Sequence, residues 1–109
     1  MTSSAKRLFA MVLLALAAGC AGQLPPPTEA DALRASAQWP GTTVATLARG
    51  RSLYIGHCSG CHSLHRPTSQ PPGAWPKIVH EMVKRSKLDG AKTDEVIRYL
   101  VVASEMKRP

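Results

Sequence analysis

Hydrophobic and polar positions along this chain follow a helical period. From Trp75 onward, apolar side chains recur every three or four residues with charged side chains between them, and the same spacing returns in the segment before Glu105. A repeat near 3.6 residues is typical of helices that bury one face. No segment alternates convincingly in twos, as a half-buried strand would. The pattern therefore predicts an all-α fold.

Three helices are predicted in the second half of the chain. Their expected bounds are 43–55, 75–87 and a last helix with its N-cap at Thr93 that ends near Glu105. Gly50 lies within the first of them, where it lowers helix stability. Because glycine has no side chain, we expect another helix to cross closely at this position.

The first 20 residues have the pattern of an export signal. Lys6 and Arg7 precede an apolar run over 8–18, and Gly19 and Cys20 follow it. A positive start, a short apolar run and small residues before a cleavage site are typical of secretory signals. The run is short for a permanent membrane-spanning helix.

Residues 16–20, Leu-Ala-Ala-Gly-Cys, resemble the lipobox of bacterial lipoproteins, with Ala17 where that motif usually has Leu. The resemblance implies a diacylglycerol on Cys20, which becomes the mature N-terminus. Two acyl chains would hold a small protein at a membrane. We therefore expect export and a lipid anchor on the periplasmic side of a bacterial membrane; ordinary signal cleavage nearby, which leaves the protein unanchored, is the alternative.

Residues 21–42 are predicted to form a flexible Pro- and Ala-rich tether between the signal, 1–20, and a folded domain over 43–109. Pro25, Pro26 and Pro27 favour an extended chain, and an Ala-rich stretch over 29–38 favours a short helix. The net charge of +7 falls to +5 when Lys6 and Arg7 leave with the signal. Such an excess can steer a small protein to an acidic partner and requires no nucleic acid.

Two of the three cysteines belong to the segment Cys58-Ser59-Gly60-Cys61-His62. The spacing C-x-x-C-H is that of c-type haem attachment. Two intervening residues allow one tight turn that aims both thiols at the two vinyl groups on one porphyrin edge. His62 then lies under the ring as the proximal iron ligand, and its other ring nitrogen is expected to donate to a backbone carbonyl near Pro67, Pro71 or Pro72.

Three other kinds of site also use two cysteines at this spacing. A thiol–disulfide oxidoreductase usually places C-x-x-C within a βαβ pattern, which is missing here. A zinc site needs a second ligand pair at metal spacing, and His57, His65 and His80 do not supply a recognisable one. A disulfide between Cys58 and Cys61 would close a small, strained loop. Covalent haem c explains the motif best.

Residues 43–105 resemble a small class I cytochrome c. The resemblance depends on Gly50-Arg51-Ser52-Leu53-Tyr54, on the C-x-x-C-H segment and on Tyr99-Leu100 in the last helix. It implies a small three-helix domain around one covalent haem. It also implies that Gly50, Tyr54 and Tyr99 form the crossing of the first and last helices.

In that family the second axial ligand is usually a Met between the haem motif and the last helix, and Met82 is the Met in this interval. The interval from His62 is shorter than in most members, and Met82 is predicted within a helix. Its face is shared with Trp75 and Val79, whereas His80 is on the polar face. We expect Met82 to bind the iron; core filling is its other role.

These residues predict a mono-haem electron carrier rather than an enzyme, either alone or as the electron-transfer subunit of a larger oxidoreductase. The expected partners are redox proteins, namely a membrane oxidase or an exported dehydrogenase. The alternative is a haem protein that binds or senses small gases at an open sixth coordination position.

Overall fold

The computed structural model describes residues 24–58 and 64–106. These ranges hold four α-helices, which are α1 (Glu29–Gln38), α2 (Val44–Cys58), α3 (Trp75–Ser86) and α4 (Gly90–Ser104). Two short 3₁₀ turns, Pro67–Ser69 and Pro72–Ala74, lead into α3. Neither range contains a strand, so the prediction of an all-α fold is confirmed for them. None of their helices is long and apolar enough to cross a membrane.

The last helix begins earlier than its sequence predicts. Asp89 is the N-cap, and its side chain accepts a hydrogen bond from the backbone N–H of Lys92 at 2.8 Å. Thr93, predicted as the cap, lies inside the helix, and its hydroxyl donates to the carbonyl of Asp89 at 2.8 Å. The prediction is wrong because Asp and Thr are both good caps, and the apolar stripe starts only after Thr93.

The other helix ends agree more closely with the pattern. α2 continues to Cys58, one turn beyond the predicted end at residue 55. α3 begins at Trp75 with Pro76 in its first turn, where the missing N–H costs nothing. It ends at Ser86, and Lys87 is its C-cap. The backbone of Lys87 is left-handed (φ 57°), and its N–H donates to the carbonyl of Val83.

The stretch predicted to be a tether packs against the helices from Leu24 onward. α1 starts with a capping box, in which the N–H of Thr28 donates to the Asp31 carboxylate at 2.7 Å and the N–H of Asp31 donates to the Thr28 hydroxyl at 3.3 Å. One face of α1 is buried in a small apolar cluster formed by Ala32, Ala35, Leu47 and Val102. The packed structure therefore begins well before residue 43.

α4 lies at the centre of the fold and crosses α2 at Gly50. A methyl group added to Gly50 would overlap the carbonyl oxygen of Glu95 and lie 3.1 Å from Cβ of Tyr99. The predicted close approach at this glycine is thus confirmed. Tyr54 and Tyr99, which the resemblance places at this crossing, are both almost fully buried.

The main core connects this crossing to α3. The rings of Tyr54 and Trp75 meet edge to face with centroids 6.4 Å apart, and Val79 packs into the same cluster. The cluster also contains several residues of α4, including Val96 and Leu100. Aromatic pairs in this geometry add stability beyond the area they bury. α3 is therefore fixed to the α2–α4 pair through its first two turns.

Replacing Gly50 with Ala is expected to destabilise the protein by about 1–3 kcal/mol or more, because the new methyl group meets backbone that cannot move independently. Gly56→Ala is the matched control in the same helix, since nothing lies within 4 Å of its added methyl group. Ala at that exposed position should stabilise the helix by about 0.5–1 kcal/mol. Denaturant unfolding measures both, and equal effects would contradict a tight crossing.

Candidate functional site

Two of the predicted site residues lie within the described ranges. Cys58 is the last residue of α2 and is half-buried. Met82 lies in the middle of α3 and is also half-buried. Cys20, Cys61 and His62 fall outside residues 24–58 and 64–106, so their predicted roles remain predictions.

Cys58 and Met82 border the same cavity, which has a volume of about 330 Å³. Its described lining comes from the end of α2 and the second half of α3, namely His57, Cys58, Glu81, Met82, Lys84, Arg85 and Ser86. This volume lies within the range of small-ligand sites, which is about 300–1,000 Å³. The fold thus brings the first residue of the C-x-x-C-H segment and the predicted sixth ligand to one space.

Half-buried apolar side chains surround the main core without being covered by it. They lie on α2, on α3 and in the adjoining loops, and they pack against the same core as Cys58 and Met82. These side chains are Leu53, Leu64, Ile78, Val83 and Leu88. Partly exposed apolar side chains are the surface that a large apolar group covers most favourably. None of these five side chains is among the described residues that line the cavity, so they border the site rather than form its wall.

The same cavity contains an unsatisfied hydroxyl. The oxygen of Ser86 is buried and has no hydrogen-bond partner among the described residues. Ser86 follows Met82 by four residues, so the two side chains share a face of α3. A buried hydroxyl without a partner costs free energy unless a bound group supplies one. Cys58 and Met82 offer sulfur atoms and Ser86 a hydroxyl, whereas the rest of the described lining, His57, Glu81, Lys84 and Arg85, is polar or charged.

Burial raises the pKa of the Cys58 thiol above its ordinary value. A thiol with a raised pKa is mostly protonated at neutral pH and is a poor nucleophile, whereas redox-active C-x-x-C motifs lower it. The described ranges contain no cluster of three or more His, Cys, Asp or Glu side chains suited to a metal ion, and Cys61 and His62 lie outside these ranges.

Two buried aromatic side chains hold the loop that follows the C-x-x-C-H segment. The hydroxyl of Tyr54 donates to the carbonyl of His65 at 2.7 Å, and the indole N–H of Trp75 donates to the carbonyl of Pro67 at 2.9 Å. Pro67 is one of the three prolines near which a carbonyl is predicted to accept a hydrogen bond from His62. The structure shows that the Pro67 carbonyl accepts the hydrogen bond from Trp75. The loop is thus fixed to both α2 and α3.

Sequence reasoning missed some residues at this site and placed others correctly. Ser86 and His57 border the cavity although neither was predicted there. The spacing of Ser86 from Met82 was the available signal, because residues four apart share a helix face. His80 is exposed on α3, as its position on the polar face predicts, and His65 is exposed as well.

No protein-family model, no curated protein and no solved structure matches this chain. The functional argument therefore depends on the chain's own residues, on their spacing and on the site just described. The C-x-x-C-H segment carries the specific chemistry, and the cavity shared by Cys58 and Met82 gives its surroundings.

Stability is expected to fall at alkaline pH. Burial raises the pKa of Tyr54 and that of Tyr99 from 10.0 to about 12. Above about pH 10 the unfolded chain loses these protons while the folded chain keeps them, so folding stability declines until about pH 12. Below pH 10 both hydroxyls stay protonated in either state, and this contribution is fully present.

Tyr54→Phe should cost about 1 kcal/mol near neutral pH, through the lost hydrogen bond to His65. It should also reduce the decline in stability between about pH 10 and 12, because one of the two shifted hydroxyls is gone. Denaturant unfolding of both proteins across this range tests the prediction. A decline of the same size in both would refute it.

Proposed function

We propose that this chain is a mono-haem c-type cytochrome that transfers single electrons. The observation that carries the proposal is the segment Cys58-Ser59-Gly60-Cys61-His62, which begins at the cavity that Met82 also borders. The export signal predicted over residues 1–20 supports it, because a signal of this kind directs a chain out of the cytoplasm, as expected of an exported c-type cytochrome.

Each residue has a defined role in this proposal. Cys58 and Cys61 form the two thioether bonds, and His62 is the proximal ligand. Met82 would be the second residue to bind the iron, and the unpaired hydroxyl of Ser86 would be available to a polar atom of the bound group. A bound haem c supplies an iron atom that alternates between two oxidation states, and a Met/His ligand pair raises its reduction potential.

The rigidity of the surroundings supports electron transfer. Met82 is held on α3, whose first turns are packed against Tyr54 and α4. Cys58 is held at the end of α2, which is fixed by the crossing at Gly50. Ligands on well-packed helices keep their geometry more precise than ligands on loops do. Small changes in ligand geometry between oxidation states favour rapid electron exchange.

The proposed setting is the periplasmic side of a bacterial membrane, with the anchor at Cys20. The partners are redox proteins, either a membrane oxidase or an exported dehydrogenase, and the chain is a carrier or the electron-transfer subunit of a larger complex. Two exposed basic residues border the cavity: Lys84 pairs with Glu81 at 3.2 Å, and Arg85 suits an acidic partner surface.

Covalent attachment is tested by haem staining on a denaturing gel after expression in a host that attaches haem c. The native chain should give a haem band, and the variant with Cys58→Ser and Cys61→Ser should give none. Cys20→Ser is the matched control: it should keep the band and lose retention on membranes. A native chain without a haem band would overturn the proposal.

The role of Met82 is tested by the reduction potential of the haem-loaded protein. Met82→Leu keeps most of the side-chain volume but removes the sulfur, so we expect the potential to fall and the gas-binding position to open. Met106→Leu is the control, because Met106 is exposed after α4. Potentiometric titration should separate the two variants. Equal potentials would assign Met82 to core packing.

A further inference from the structure

We propose that the anchor at Cys20 holds the folded domain directly against the lipid headgroups. The side of the domain where Leu24 lies would then face the membrane. The partner of this face is a lipid surface, and a long tether is not needed. The inference deepens the proposed function and depends on its lipid anchor and its haem.

Leu24, the first residue that the structure describes, is attached to the helices. Its carbonyl accepts a hydrogen bond from Nε of Arg51 at 2.9 Å, and its side chain packs against the main core. The next carbonyl, that of Pro25, accepts from the hydroxyl of Tyr99 at 3.0 Å. Arg51 and Tyr99 belong to the two central helices, so this segment is held by the most firmly packed part of the fold.

The region up to α2 is held as well. The capping box of Thr28 and Asp31 starts α1, which buries Ala32 and Ala35. Beyond α1, Arg98 donates to the hydroxyl of Thr42 at 2.9 Å. Residues 24–42 are therefore attached to the domain at several points and add no free length.

Chain length then limits the distance to the membrane. Only three residues, 21–23, separate Cys20 from Leu24. Four Cα–Cα steps reach at most about 14 Å even when the chain is fully extended. A free tether over 21–42 would instead reach up to about 80 Å, with a typical end-to-end distance of about 26 Å. The packing of residues 24–42 thus removes most of the possible reach.

The distance from Leu24 to Cys58, the first residue of the C-x-x-C-H segment, can also be bounded. Arg51 and Cys58 are seven residues apart on α2, which is about two turns or 10.5 Å along the axis and nearly the same side of the helix. Three lengths separate Cys58 from Cys20: the distance along α2, the side chain of Arg51, and the link from Leu24 to Cys20. Together they place Cys58 within about 30 Å of Cys20.

This placement restricts the class of redox partner. A haem held within about 30 Å of the anchor meets proteins whose own redox group lies near the bilayer surface. A membrane-embedded oxidase satisfies this condition. An enzyme whose redox group lies far from the membrane would require the long tether that the packing of residues 24–42 excludes.

The experiment measures the height of the haem above the bilayer. Full-length lipidated and haem-loaded protein is placed in phosphatidylglycerol-containing vesicles that carry a headgroup-linked fluorophore, whose emission haem absorbs. Quenching of the fluorophore then reports the distance. The test variant inserts about 15 Gly/Ser residues between Gln23 and Leu24, which gives a typical link of about 24 Å. The matched control appends the same segment after Pro109.

We expect strong quenching by the native chain, several-fold weaker quenching after the insertion, and no change in the control. Equal quenching with and without the insertion, or weak quenching by the native chain, would overturn the inference. Haem staining and retention after a high-salt wash are measured on the same vesicles. Missing haem contradicts the proposed function, loss on washing contradicts the anchor, and weak native quenching with both intact contradicts this inference alone.

A second variant tests the attachment of the segment itself. Arg51→Ala combined with Tyr99→Phe removes both hydrogen bonds to residues 24 and 25, so quenching should fall to an intermediate value. Arg49→Ala is its control, because Arg49 is an exposed arginine of the same helix that pairs with Glu95 instead. An effect of equal size in the control would contradict the assigned attachment.

Discussion

The close crossing of α2 and α4 at Gly50 is the contact on which the other packing depends. The missing side chain lets the backbone of α2 approach Glu95 of α4, and the two tyrosines beside the crossing fill the space on either side. This contact sets the direction of α2 and therefore the position of Cys58 at its end. A larger side chain at residue 50 would separate the helices and shift the start of the C-x-x-C-H segment relative to α3.

Irregular segments are fixed to this helical pair by side chains that donate to backbone carbonyls. Tyr54 holds His65, Trp75 holds Pro67, and Arg51 and Tyr99 hold residues 24 and 25. Buried Tyr and Trp combine large apolar area with one polar group that needs a partner. Each bond therefore satisfies a buried donor and positions a loop at the same time. In a domain this small, such bonds supplement a limited apolar core.

Features that depend on a local sequence pattern were predictable, whereas features that depend on contacts between distant residues were not. The start of α3 at Trp75 and the crossing at Gly50 were predictable, because each depends on a local pattern or on one special residue. The N-cap at Asp89 was missed, since two suitable caps lie four residues apart and tertiary packing selects between them. The packing of α1 was missed because two alanines give a weak apolar stripe, whose burial depends on Leu47 and Val102. At the site, the motif was evident from its spacing, whereas the cavity and the unpaired hydroxyl of Ser86 arise only when α2 and α3 meet.

We propose that His62 and Met82 hold one covalent haem between them. The optical spectrum of the reduced full-length protein, recorded with and without carbon monoxide, tests this proposal. A c-type spectrum that the gas leaves unchanged is expected, because both axial positions would be filled. A spectrum that shifts with carbon monoxide would contradict ligation by Met82 and favour a gas-binding protein, and a protein without a haem band would contradict the account as a whole.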